Sequence, residues 1–528
     1  MKHFIITFKP DDKQISIHAG ATLFEAAGQA GIILNTVCGG KGTCEKCVVK
    51  LEPDGREVLA CQYHIQSDLT VTIPGSSRFF EQKILKHGID TKIDLAATVH
   101  EKYHGKISTE KIFGIAVDIG TTTVVAKLIN MADGECHATE AALNPQSRYG
   151  DDVISRIAYA QTDEKLTELH KAIINCVNDL TTKLCQKSSI NANHIYEICV
   201  VGNTTMNHIF LKLPVIQLGR APYKAFSLDA HDIPAAQLHL EMNPTGNIHT
   251  VENIAGFVGS DTTAVALAVD VDSSEEMTLV VDIGTNGELV LGTKEKLYAA
   301  SCAAGPALEG ARITCGSRAT QGAIEAVVVN EDDIDLDVIG NCPARSICGS
   351  GLIDAVAAML DFGVIDQTGR FVESAKLEGK VPPAIFSRIR KEHGQPTFVL
   401  SENDGASTVF LTQKDIRETQ LAKAAIRAGI KLLQKRIGLE DCDIEHILLA
   451  GAFGNYIRKE SAMRIGLLPA VPVEKIRFVG NAAASGARMV LLSRHCRETA
   501  RELAGKIEYV EIAHEPEFQD AFVDSMLF

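Results

Sequence analysis

Residues 113–129 read FGIAVDIGTTTVVAKLI, and residues 279–292 read LVVDIGTNGELVLG. Each is an apolar, β-branched run that closes on Asp-Ile-Gly-Thr and is followed by a second such run, the pattern of strand, tight turn, strand. Asp118 and Asp282 stand at the ends of the first strands. Gly120, Thr121, Thr122 and Thr123 make one turn, and Gly284, Thr285, Asn286 and Gly287 make the other. Backbone N–H groups in such a turn point at an anion and the hydroxyls add donors, while the two carboxylates can hold a magnesium ion that keeps its waters. Two copies of one unit predict an internal duplication with two related lobes. Neither copy is a Walker loop or a Gly-x-Gly-x-x-Gly turn, and either one alone could be a core hairpin with a solvated Asp.

Working outward, strand and helix signals alternate from about residue 111 to the end, as an α/β architecture requires. Residues 444–457, IEHILLAGAFGNYI, present a strand and then Gly451, Ala452, Phe453, Gly454 and Asn455. That small-residue turn lets backbone lie against a flat ligand such as adenine and ribose. Residues 480–492, GNAAASGARMVLL, predict a helix with small residues on one side for a close helix crossing. In this order the set resembles the actin, Hsp70 and sugar-kinase superfamily: phosphate-1, phosphate-2, adenosine and second connecting motifs. The resemblance implies ATP and Mg2+ held between two lobes with duplicated ribonuclease-H-like subdomains.

Cys38, Cys44, Cys47 and Cys61 crowd into the first 76 residues, while the other ten of the 14 cysteines are scattered. Their spacing is Cys-x5-Cys-x2-Cys with Cys61 following, and Gly39, Gly40 and Gly42 fall in the first loop. A cluster held by four thiolates is anionic and needs N–H donors to its sulfurs, which a Gly-rich loop wrapped closely around it supplies. A structural zinc site is the alternative, although zinc sites usually show two close Cys pairs. HFIITF, QISIHAG and DLTVTIP read as strands and TLFEAAGQAGI as a helix, a small sheet over one helix. The segment resembles 2Fe-2S ferredoxins of β-grasp fold, and the longer first gap resembles their adrenodoxin-type branch.

The expected organisation is thus an α+β ferredoxin-like domain over 1–76, a linker over 77–110 and an α/β ATP-binding domain over 111–528. Within the last, the first lobe covers about 111–275, the second about 276–480, and return helices fill 481–528. A length of 528 residues suits several compact units. With 45% apolar and 23% charged residues, disorder and coiled coil are excluded over most of the chain. Lys+Arg 52 against Asp+Glu 67 gives a net charge of −15, so a nucleic-acid backbone would be repelled. The first residues lack a signal-peptide apolar region and no run of about 18 apolar residues occurs. The expected compartment is the cytoplasm, with no membrane partner, and there cysteines serve as thiols or metal ligands.

What separates members of a superfamily that share this clamp is the unit attached to it, and here that unit is an electron carrier. The combination resembles the reductive activators of corrinoid proteins. Further strings carry the likeness: NPQSRYGDDVISRI from Asn144, VGNTTMNHIF from Val201, SCAAGPALEGARI from Ser301, ICGSGLIDAV from Ile347 and FQDAFVDSMLF from Phe518. Some members carry an extra domain between linker and ATPase, where this chain has only the linker. The resemblance implies an ATP-hydrolysing activase that passes one electron from a 2Fe-2S cluster to a corrinoid protein, Co(II) to Co(I), in methyl-transfer metabolism. An upstream electron donor is implied as well, with a homodimer as one admissible assembly. Such a reduction is uphill from a cluster near about −400 mV, and ATP can assist only by binding the partner's two states differently.

The strings also have plainer readings. Asp151 or Asp152 fits a helix cap, and Gly202-Asn203-Thr204-Thr205 fits either a helix start or a second hydroxyl contact to nucleotide. Glu309 is the candidate to polarise a water on the γ-phosphate. Cys302, Cys315, Cys342 and Cys348 form no close pair and are expected as small hydrophobes, His208 as a packed histidine, and EDDIDLD from Glu331 as a solvated acidic loop. Two other functions stay open on the residues alone: a metabolite kinase with a redox-sensing cluster, and an ATP-driven binding module.

Overall fold

Asp118 and Asp282 each close a strand at the middle of a sheet, and the two sheets repeat one another. The computed structural model describes residues 3–10, 13–30, 32, 34, 47–74, 95–99, 112–150, 152–310, 312–392, 394–402, 408–451 and 457–528. At the N-terminus β1 (His3–Lys9), β2 (Lys13–His18), α1 (Leu23–Gln29), β3 (Val48–Glu52), β4 (Arg56–Leu59) and β5 (Leu69–Thr72) form a sheet of order β2-β1-β5-β3-β4. Alternate residues of β1 are buried, the sign of a strand with one face on a core. Ile6, Phe8, Ile17, Leu23 and Val71 fill that core.

The first lobe is built from β6 (Phe113–Ile119), β7 (Thr123–Asn130), β8 (Cys136–Leu143), α2 (Val153–Tyr159), α3 (Asp163–Ser188), β9 (Ile195–Gly202), α4 (Thr204–Phe210), β10 (His231–Pro234), β11 (Asn247–Thr250) and α5 (Ser260–Ala268). The second contains β12 (Thr278–Ile283), β13 (Gly287–Thr293), β14 (Lys296–Cys302), α6 (Gly349–Asp361), α7 (Gln413–Ile437), β21 (His446–Ala450) and β22 (Ile476–Gly480), with two small sheets between: β15 (Ala323–Val329), β16 (Ile334–Val338) and β17 (Ser346–Ile347), then β18 (Ile389–Glu392), β19 (Gln395–Ser401) and β20 (Val409–Thr412). The five strands that correspond run β8-β7-β6-β9-β11 in the first lobe, where β10 adds a sixth beyond β11, and β14-β13-β12-β21-β22 in the second. Both first hairpins are antiparallel, and both Asp-bearing strands pair in parallel with the next crossover strand, β9 or β21. This is the ribonuclease-H-like arrangement twice over, as the repeated Asp-Ile-Gly-Thr predicts.

After β22 the chain returns: α8 (Ala482–Leu492) packs on α5, β6 and β9 of the first lobe, α9 (Arg494–Lys506) follows, and β23 (Ile507–Tyr509) rejoins the second sheet beside β14. The small residues of α8 permit the close crossing, since a Cβ on Gly486 would stand 2.0 Å from the Ala264 carbonyl oxygen. One apolar cluster runs through both lobes here, with Ala116 and Val201 on one side, Val280 and Val290 on the other, and Ala264, Ala483 and Val490 between. The two lobes therefore share one apolar seam.

One expectation is corrected. Residues 331–337 are not simply a solvated loop: Ile334 is buried and starts β16, and Asp333 at the preceding turn takes Arg388 bidentately at 2.5 and 2.8 Å. His208 is packed as expected. Its Nε2 accepts the N–H groups of Phe226 and Ser227 at 3.1 and 3.3 Å, so Nδ1 carries the proton given to Thr204 O at 2.7 Å, and burial pushes its pKa down to about 4. Cys302 lies in the core of the second lobe. Among the described residues no helix is long and apolar enough to cross a membrane.

Candidate functional site

The two turns meet. Gly120 N–H donates to Thr123 O at 3.0 Å and Gly284 N–H to Asn286 O at 2.9 Å, which folds each Asp-Ile-Gly-Thr back on itself. Thr122 Oγ1 and Thr285 Oγ1 then lie 3.0 Å apart across the two lobes. They border a cleft of about 380 Å³ whose walls include Asp118, Gly120, Thr121, Thr122 and Thr123 from one turn and Asp282, Gly284, Thr285 and Asn286 from the other. Gly287 begins β13 and turns toward Ile426 instead. Glu309 is in the wall and accepts from Thr285 Oγ1 at 2.8 Å.

Gly451, the first residue of the stretch expected to meet adenosine, is also in the wall. Its φ is +89°, and a Cβ there would stand 2.6 Å from Asp282 Oδ1, so a side chain would displace the carboxylate. Ala452, Phe453, Gly454 and Asn455 lie outside the described residues.

The floor of the cleft is more acidic than expected. Asp261, from the first turn of α5, and Glu288, from β13, join Asp118 and Asp282. Burial raises Asp118 to about 6 against the opposing Asn481 hydrogen bond and Lys127 charge. Burial and then the charge of Asp118 raise Asp261 to about 7, while burial followed by Asp261 and Asp118 raises Asp282 to about 7. Glu288 is held well above the usual range by burial and by Asp261 and Asp282. Carboxylates that oppose one another's ionisation in this way fit a divalent cation among them. Among the described residues no three His, Cys, Asp or Glu side chains converge to chelate an ion directly. The fit is therefore to a hydrated ion held through its waters, which is how magnesium prefers to bind.

In the N-terminal unit Cys47 and Cys61 are 1% and 8% exposed, with Sγ atoms 3.3 Å apart. Two thiolates on one tetrahedral metal, at about 2.3 Å each, stand about 3.8 Å apart, so the pair is close to the spacing of two ligands of one ion. Gln62 Nε2 donates to Cys61 Sγ at 3.8 Å, the kind of contact that stabilises an anionic cluster. Cys38 and Cys44, with their glycines, lie outside the described residues.

Comparison with known proteins places these two sites in one frame. Three family models match in succession: the 2Fe-2S iron-sulfur cluster binding domain over residues 5–74, the RACo middle region over 113–274, and the C-terminal domain of RACo, the ASKHA domain, over 276–528. A corrinoid activation enzyme, RamQ, of Eubacterium limosum is 34% identical over 98% of this chain and 98% of its own. The chain belongs to the RACo family, the reductive activators of corrinoid proteins. A solved structure of a reductive activator for a corrinoid, iron-sulfur protein is similar at 31% identity, covering 99% of this chain and 98% of that one, with a TM-score of 0.73. The [Co(II) methylated amine-specific corrinoid protein] reductase of Methanosarcina barkeri is 25% identical over 75% of this chain and 73% of its own. The RamQ alignment spans 584 positions against 528 residues here, so insertions in that relative have no counterpart in this chain. What the RACo models term the middle region is the first lobe. The model over 5–74 also decides between cluster and zinc in favour of a 2Fe-2S domain.

RACo-family strings that looked like caps turn out to support the cleft. Asp152 does cap α2, with Ser155 completing a capping box; Asp151 lies outside the described residues. Beyond the cap, Asn144 donates to Gly120 O at 2.8 Å, and Arg156, with no exposed surface, donates to Thr121 O at 2.6 Å and Gly150 O at 2.9 Å. A guanidinium thus props the Gly120–Thr123 turn from behind. Of Gly202–Thr205, the amide rather than the hydroxyls reaches the cleft: Asn203 lines it and donates to Thr121 Oγ1 at 3.0 Å, whereas Thr204 is turned to Ala255 O at 2.6 Å. Asn481, the cap of α8, donates to Asp118 Oδ2 at 3.1 Å. Cys348 is not only a core hydrophobe, for it lines the cleft 3.3 Å from Ser350 Oγ.

Proposed function

We propose that this chain reactivates a corrinoid protein by reducing its cobalt from Co(II) to Co(I), using one electron from its own 2Fe-2S domain and the energy of ATP bound with Mg2+ in the cleft. The observation that carries the reading is the presence in one chain of the Cys47–Cys61 pair and of a cleft in which two phosphate turns touch through Thr122 and Thr285. Relatives that match nearly all of the chain are named for corrinoid activation and for a corrinoid reductive activator. Its units on this reading are the ferredoxin-like domain over 1–76, the linker over 77–110 and the clamp over 111–528, with Cys38, Cys44, Cys47 and Cys61 as cluster ligands.

When bound, the cluster supplies a single low-potential electron, and a magnesium ion offsets phosphate charge. The chain's own residues do the rest. Turn N–H groups and the hydroxyls of Thr121, Thr122, Thr123 and Thr285 hold the phosphates, with Asn286 beside them. Asp118 and Asp282 would hold the cation through its waters, and residues 451–455 would take the adenosine. Glu309 positions Thr285 through one carboxylate oxygen and offers the other to the attacking water. Contact between the lobes at Thr122–Thr285 makes their closure depend on what lies between the turns. If nucleotide state changes affinity for the partner's two oxidation states by about 1–3 kcal/mol, the gain covers roughly 40–130 mV, because about 1.4 kcal/mol corresponds to about 59 mV for one electron. An upstream donor must then return an electron to the chain.

The test is turnover with a corrinoid protein. Anaerobic full-length protein should hold 2Fe-2S iron and sulfide and hydrolyse ATP faster when the corrinoid protein is added. Phosphoryl transfer to a small metabolite, with no response to corrinoid protein, would favour the kinase reading instead.

A further inference from the structure

Six carboxylates, Asp118, Asp261, Asp282, Glu288, Glu309 and Glu325, line the cleft, and among the described residues Arg318 is the one basic side chain there. A polyphosphate entering this cleft meets charge of its own sign, which cations must offset. Hydrated magnesium offsets only part.

Arg318 is exposed, and surface arginines are ordinary. Two facts set this one apart. Its guanidinium has no hydrogen bond, ion pair or ring contact among the described residues, while the segment leading to it is tied down and its own carbonyl accepts from the hydroxyls of Ser317 and Thr320 at 2.8 and 3.3 Å. Ser317 N–H donates to Ile347 O at 2.9 Å and Ile347 N–H to Cys315 O at 2.8 Å. The hydroxyls of Ser317 and Ser346 lie 2.6 Å apart. Thr314 gives both its N–H and its hydroxyl to Oδ1 of the buried Asp415, at 2.7 and 3.0 Å. Glu309, five positions before Thr314 in the chain, accepts from Thr285 of the phosphate-2 turn. A fixed strap thus carries a cationic fork to the mouth of an acidic cleft with its donors unspent, and a guanidinium fork matches phosphate oxygens in geometry as well as charge.

We propose that Arg318 is the protein's own cationic contact to the phosphate chain of the bound nucleotide, so that affinity rises with the number of phosphates. The inference rests on the reading of the cleft as an ATP site. The test is calorimetric binding of MgATP, MgADP and adenosine to the full chain and to its Arg318→Gln and Arg318→Lys variants, at low and high salt. Arg318→Gln should weaken MgATP about tenfold, as loss of a charge-assisted contact does, weaken MgADP less, and leave adenosine within about twofold. Arg318→Lys should fall between, and MgATP binding to Arg318→Gln should depend less steeply on salt. An Arg318→Gln protein that binds MgATP as the wild type does overturns the inference. So does one that loses adenosine as strongly as ATP, because the guanidinium then serves the base. Wild-type protein that binds no nucleotide overturns both this inference and the function it rests on, whereas normal wild-type binding with an unaffected variant overturns this inference alone.

Discussion

At the residue scale, the two hairpins differ where the duplication would make them alike: Asp118 pairs with Val125, but Asp282 pairs with Glu288. Like charges directly opposite on a hairpin oppose folding, and here both carboxylates are also half-buried. The folded chain holds protons on Asp118, Asp261 and Asp282 up to about pH 6–7, whereas the unfolded chain releases them near about pH 4. Stability from these groups is therefore fully present below about pH 4, declines as pH rises, and is lost above about pH 7. A divalent cation restores it where the groups are ionised. Magnesium should raise the thermal midpoint more at pH 8 than at pH 5.5, and Asp282→Asn should shrink the difference; an equal magnesium effect at both pH values would contradict this. Asp118→Ala should keep the cluster's visible absorbance and lower ATP-driven corrinoid reduction by at least about 100-fold, the scale of losing a preorganised electrostatic contact. Asp118 and Asp282 were legible because their motif is local. Asp261 and Asn481 were not: Asp261 stands in no such string, and the string that holds Asn481 reads only as a small-residue helix, while its contact with Asp118 spans 363 positions. Glu288 could have been found from the hairpin register, which sets it opposite Asp282.

At the element scale, the strand–turn–strand units, the crossover strands and the small-residue helix α8 could all be read from periodicity and Gly placement. The acidic run at 331–337 was misread because composition outweighed the alternation of Ile334 and Leu336 that makes it a strand. The strings at 144–157 and 201–210 gave their caps but not their second duty, because a cap is a local pattern while Arg156 under Thr121 is a tertiary one. The crossing of α5 and α8 makes its own prediction. Gly486→Ala places a Cβ against the Ala264 carbonyl and should destabilise by roughly 1–3 kcal/mol, as overpacking does, read as a lower urea midpoint. A midpoint unchanged within error would mean that the helices part easily and do not fix the lobes.

At the scale of the whole molecule, the N-terminal unit has a core of its own, separate from the clusters that hold the two lobes. Cys61→Ala should thus abolish the cluster's absorbance and corrinoid reduction while leaving MgATP affinity within about twofold, since cores that share no contacts respond independently. Loss of nucleotide binding in that variant would show that the two units do not fold apart. The central claim is that the cleft drives the electron. The measurement that addresses it most directly is the optical spectrum of a Co(II) corrinoid protein mixed anaerobically with this protein and a reductant, with MgATP and without. Co(I) absorbance that grows only with MgATP is the predicted result, and Co(I) appearing at the same rate and to the same extent without nucleotide would contradict the account.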